Sequence, residues 1–152
     1  MRLTLWIPLI ALFLGSFTMA CNQASKKEQE QQTVLWYEMM EVHDEVMPRI
    51  SEVNRLSRNL KKMKDNIPYI LTSEYQKALQ NLEAAEDGMM EWMVELQQLD
   101  EMRKTMRHEE IMAYLNKEKE RIEQVSKDIK GSIVSAEYTK VRIDQRNQKR
   151  ND

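Results

Sequence analysis

Three stretches of this 152-residue chain place an apolar side chain at every third or fourth position, and that period limits the fold more than any other feature. Residues three and four apart share one face of an α-helix, so each stretch predicts an amphipathic helix with a face to bury. The first covers about residues 34–65, with Met39, Val42, Val46, Ile50, Val53, Leu56, Leu60 and Met63 as its stripe. Tyr75, Ala78, Leu82, Ala85, Met89, Met93 and Leu96 form the second stripe. The third runs through Ile111, Leu115, Ile122, Val125, Ile129, Ile133 and Ala136, towards about residue 146. Three long helices with short connections predict an all-α, up-down-up three-helix bundle of antiparallel coiled-coil character. The alternative is an extended antiparallel coiled coil that completes its core by oligomerising.

Local signals mark the ends. Pro48 falls inside the first stripe, where it removes one backbone hydrogen bond and bends the helix beside Met47. Asn66-Ile67-Pro68 stops that helix, because a residue before proline avoids the helical region. Ser73 and Gln76 have the spacing of a capping box. Gly88 lies within the second helix, where close helix packing is its expected role and a break at Asp87-Gly88 the alternative. Thr105 is the expected cap of the third helix, with Glu109 and Glu110 in first turns that favour acids.

The chain starts with one charge, Arg2, then an apolar run over residues 3–17, then Thr18-Met19-Ala20-Cys21. This order describes an export signal, and the run is too short for a retained transmembrane helix to be the better reading. Cys21 is the only cysteine and follows a small residue, as in a lipobox. The expectation is cleavage after residue 20 and a lipid on Cys21, which anchors the protein to a membrane of the bacterial cell envelope without crossing it. With that thiol acylated, neither disulfides nor cysteine ligation of a metal is expected. Residues 22–32 (NQASKKEQEQQ) are too polar to bury a face and predict a disordered tether. The expected organisation is therefore a signal over 1–20, a lipidated tether over 21–33, a helical bundle over 34–146 and a disordered tail over 147–152.

Both histidines of the chain belong to a repeated motif, His43-Asp44-Glu45-Val46-Met47 and His108-Glu109-Glu110-Ile111-Met112. In each, an imidazole and a thioether four residues apart share a helix face. Twelve methionines are present, and only Met1 and Met19 belong to the signal. Thioethers are soft ligands that favour copper(I), and imidazole accepts either copper oxidation state. Tight turns centred near residues 70 and 102 would bring the two motifs level. The candidate copper ligands are then His43, Met47, Met93, His108 and Met112, with Met40, Met89 and Met90 in reserve. The competing reading makes the methionines adaptable core filling and the chain a structural or interaction module. A noncovalent haem between one His and one Met is a minor option.

Other functions find little support. The net charge of −2 is spread along the chain, so no nucleic-acid footprint stands out. No phosphate-binding glycine loop or nucleophile elbow occurs, and no enzyme activity is expected. In the same register the third helix overhangs the first by about 15 residues. Ile133, Ala136, Val141 and Ile143 line that overhang, which is expected either to fray or to contact another chain, such as a second copy.

The segments VHDEVMPRISEVNRL, AAEDGMMEWM and HEEIMAYLNKEKERIEQVSKDI resemble a group of small, functionally uncharacterised helical lipoproteins of bacterial envelopes, some labelled "viral A-type inclusion protein". Residues 89–93, with the pattern MMxWM, carry the most specific part. The resemblance implies an exported helical lipoprotein and no particular activity.

Overall fold

A computed structural model describes the backbone of residues 7–151 and the side chains of residues 25–150. Residues 1–6 and the Cys21 side chain, on which export and lipid attachment depend, lie outside the described part. Within it every regular element is helical. The α-helices are α1 (Ile7–Val46), α2 (Ile50–Lys62), α3 (Thr72–Glu95), α4 (Leu99–Thr105) and α5 (His108–Asn151). Among the described residues no helix is long and apolar enough to cross a membrane.

Pro48 tightens the first helix without ending it. Met47–Arg49 form one 3-10 turn, and the backbone stays helical on both sides, from Val46 to Ile50. The Ser51 hydroxyl donates to the Pro48 carbonyl at 2.8 Å. The buried stripe continues through Val46, Val53, Leu56 and Leu60. Further along, Ile67 and Pro68 are extended, so the chain turns there as the proline requires. Two short 3-10 turns, Lys64–Asn66 and Tyr69–Leu71, build the connection to α3.

Ser73 does not cap α3. The helix starts at Thr72, straight out of the Tyr69–Leu71 turn, and no side chain caps it. The Thr72 N–H is already taken by the Tyr69 carbonyl, so the turn itself supplies the acceptor. Thr105 is likewise not the cap of the last helix. It ends α4, and its hydroxyl bonds to the Glu101 carbonyl at 3.3 Å. The start of α5 is held by Glu110, whose carboxylate accepts from the Arg107 N–H at 2.8 Å. That is the acidic half of a capping box.

Cross-helix bonds fix the directions. Asn54 bonds to Glu86 and Lys61 to Glu83, so residue numbers fall on α3 as they rise on α2. Trp92 reaches the Glu118 carbonyl and Glu74 reaches Arg142, so α3 and α5 are antiparallel too. Glu38–Lys119, Glu45–Lys130 and Asn66–Asn147 show α1 and α2 running parallel to α5. Met39, Leu56, Leu60, Leu82, Met89, Trp92, Leu115, Ile122 and Ile129 fill the space between them, all essentially without solvent contact.

Two segments expected to be disordered are helical. Residues 25–32 belong to α1, and Gln32 is buried at 4% exposure. Residues 147–151 belong to α5, and the Asn147 amide donates to the Asn66 carbonyl at 3.0 Å. In both places a polar side chain finds a polar partner on another element, which composition does not reveal.

Candidate functional site at the two histidines

The offset between α1 and α5 decides whether the two histidine motifs meet. Bringing them level needs an offset of 65 residues, the spacing from His43 to His108. The observed offsets are 76 for Gln32–His108, 81 for Glu38–Lys119 and 85 for Glu45–Lys130. The source of the difference is α4. Residues 96–107 do not make a tight hairpin but a seven-residue helix between two extended links, with Leu99 and Met102 buried beneath it. These residues delay the start of α5 and slide it along α1.

His108 therefore lies level with Gln32, eleven residues before His43, or roughly 16 Å along the helix. Its Nδ1 is 3.2 Å from the Gln32 amide nitrogen. The same Gln32 accepts from Arg103 Nε at 2.9 Å, and Arg103 also donates to the Gln29 carbonyl at 2.8 Å and to the Thr33 hydroxyl at 2.7 Å. One guanidinium thus fastens α4 to residues 29–33 of α1, through a planar fork that lysine lacks.

His43 occupies a different environment. Its ring stacks on Trp92, with centroids 5.6 Å apart and planes 27° from parallel, and its Nδ1 is 2.9 Å from the Asp44 carboxylate. The Trp92 indole N–H donates to the Glu118 carbonyl at 3.2 Å, which holds the stacking surface in place. Trp92 itself belongs to the core, at 1% exposure.

The methionines divide the same way. Met47 and Met93 are half-buried and level with each other by the register of Asn54–Glu86. Met112 is half-buried one turn from His108, in a groove beside Val34 and Leu35. Met40 lines the outer side of α1 with Val34 and Tyr37. Met89 is fully buried and Met90 half-exposed. The five candidate ligands accordingly split into His43, Met47 and Met93 at one level, and His108 and Met112 at another. They do not form one cluster. Among the described residues no group of three or more His, Cys, Asp or Glu side chains is arranged to hold a metal ion.

The ionisable groups with displaced titration lie in cross-helix or capping pairs. Lys130 bonds to the Glu45 carboxyl and holds its pKa below the usual value, and Arg107 does the same to Glu110. Glu83 raises Lys61 and Glu38 raises Lys119, in each case chiefly through a direct hydrogen bond. Burial pushes up the Tyr75 and Tyr114 phenols. The Glu45–Lys130, Lys61–Glu83 and Glu38–Lys119 pairs fasten helices together, and Arg107–Glu110 holds the start of α5.

The overhang expected at the far end is absent. Asn66 is level with Asn147, not with Gly131, and only four described residues of α5 lie beyond it. Ile133, Ala136 and Ile143 are buried within the chain, while Val141 is half-exposed. Two features escaped the sequence reading. The Gln32–Arg103 bonds join residues 71 apart and leave no local pattern. Tyr69 and Ile70, at 96% and 72% exposure, follow Pro68 as an apolar pair, and that pairing was a readable signal. Compared with family models, characterised proteins and solved structures, the chain matches none.

Proposed function

We propose that the chain is a lipoprotein of the bacterial cell envelope, anchored through Cys21, whose all-α domain is an up-down-up bundle serving protein interaction and not catalysis. The N-terminal order of Arg2, an apolar run and Cys21 supports export and acylation, and so does the resemblance carried by residues 42–56, 84–93 and 108–129. A single copper(I) site is not part of this reading, because its five ligands stand at two levels of the bundle.

The observation that carries the interaction reading is the outer face of α5. Val134, Tyr138 and Val141 share it at helical spacing, each more than half exposed. Exposed apolar side chains gathered on one face mark contact surfaces, whereas scattered ones need no explanation. In this reading the contact is with a second copy of the chain. Two measurements test the proposal. Wild-type protein expressed in bacteria should incorporate labelled fatty acid and sediment with membranes, and Cys21→Ser should do neither. By light scattering, the wild type should exceed a monomer's mass and Tyr138→Glu should not. An unlabelled wild type defeats the anchor, and a monomeric wild type defeats the contact face.

A further inference from the structure

At the end of the molecule opposite the start of α1, the connection between α2 and α3 forms an apex with two apolar side chains at its tip. Tyr69, at 96%, has the largest exposure of any large apolar side chain among the described residues, and its neighbour Ile70 is 72% exposed. They are held outward by their neighbours. Pro68 is extended, and Leu71, at 1% exposure, plugs the turn into the core. The tip therefore cannot fold inward without pulling Leu71 out.

Exposed cations lie at the same end of the molecule. Lys64 precedes the turn, and Arg146, Lys149 and Arg150 approach it on the last turns of α5, all exposed. The Asn147–Asn66 bond at 3.0 Å fixes that end of α5 against the connection. Of the described acids nearby, Glu74 pairs with Arg142 and Asp144 with Lys140, while Asp65 is exposed. Two protruding apolar side chains, one of them a tyrosine, at an end of the molecule that also carries four exposed cations complement a surface with apolar depth below fixed negative charge. A phospholipid bilayer has this profile, and tyrosine is favoured at its interface.

We propose that the apex formed by the α2–α3 connection and the end of α5 docks on an anionic phospholipid bilayer. Tyr69 and Ile70 enter the boundary between headgroups and acyl chains, and Lys64, Arg146, Lys149 and Arg150 face lipid phosphates. Each cation held near such a surface strengthens binding about fivefold. The contact does not depend on Cys21 being acylated. If Cys21 is acylated, the chain joins two membranes, because the apex and the anchor lie at opposite ends.

Vesicle capture tests this. The full chain carrying Cys21→Ser, which removes the acylation site, is held on a surface and mixed with labelled vesicles of phosphatidylcholine alone or with about 30% phosphatidylglycerol. Anionic vesicles should be captured and neutral ones not, and raising salt from about 50 to 500 mM should release them. Tyr69→Ser with Ile70→Ser should cut capture at least tenfold without moving the melting temperature, since both side chains are in solvent. Lys149→Glu with Arg150→Glu should cut it by a similar factor. Equal capture of neutral vesicles, no capture, or capture that survives the Tyr69/Ile70 change would each overturn the proposal. Binding of polyglutamate-coated beads in place of anionic vesicles would also overturn it, and would identify an acidic polypeptide as the partner.

Discussion

Arg103 does more for this molecule than its half-buried position on a short helix implies. Its guanidinium bonds to a buried side-chain oxygen of Gln32, a backbone carbonyl and a hydroxyl, all on α1. Removing it leaves the buried Gln32 oxygen without a donor, at a cost of about 1–3 kcal/mol. Arg103→Met should therefore lower unfolding free energy by that amount in urea titrations. Arg103→Lys should recover less than half, because one ammonium cannot span three acceptors. Arg103→Met combined with Gln32→Leu should cost less than the two single changes added together, since the orphaned oxygen is gone. Strict additivity would mean the bond contributes nothing.

Among the helices, α3 offers the clearest test of an expectation from sequence. The sequence predicts close packing at Gly88, yet a Cβ built there meets only Val125 Cγ2, at 3.8 Å, an ordinary contact. The helix also continues without a break from Thr72 to Glu95. Gly88→Ala should therefore stabilise the protein by about 0.5–1 kcal/mol through helix propensity alone, visible as a higher denaturant midpoint. A lower midpoint would mean that α5 approaches more closely than this packing allows. The elements divide into legible and illegible by the same logic. Periodicity located α2, α3 and α5, because each buries one stripe over several turns. It missed α4, whose seven residues offer only Leu99 and Met102 as a pattern. That omission displaced α5 by about four turns and brought together histidines that the molecule keeps apart. The segment from Ser25 to Gln32 was illegible for a different reason. Its helix is held by polar bonds to α4 and α5, and hydropathy carries no record of them.

For the whole molecule, exposed ion pairs give stability a weak dependence on pH. Glu45 and Glu110 have carboxyl pKa values lowered from 4.5 by Lys130 and Arg107, so the folded chain holds fewer protons than the unfolded one in mild acid. Their stabilisation is present above pH 4.5 and is lost as pH falls through the lowered folded values. Lys61 and Lys119 have pKa values raised from 10.5, so their contribution is present below that pH and lost as pH rises through the folded values. Melting temperature should form a plateau between these limits and fall on both sides. Glu45→Gln with Glu110→Gln should shrink the acid-side fall, and an unchanged acid limb would assign acid sensitivity to other groups. The central claim is that the chain enters the bundle as continuous helix, with no tether over residues 25–33. Amide hydrogen exchange on the full chain in vesicles measures it directly. Continuous helix predicts protection over residues 25–33 close to that of the rest of α1, weakened in that segment by Arg103→Met while α2 and α3 keep theirs. Complete exchange of residues 25–33 within the first seconds would contradict it.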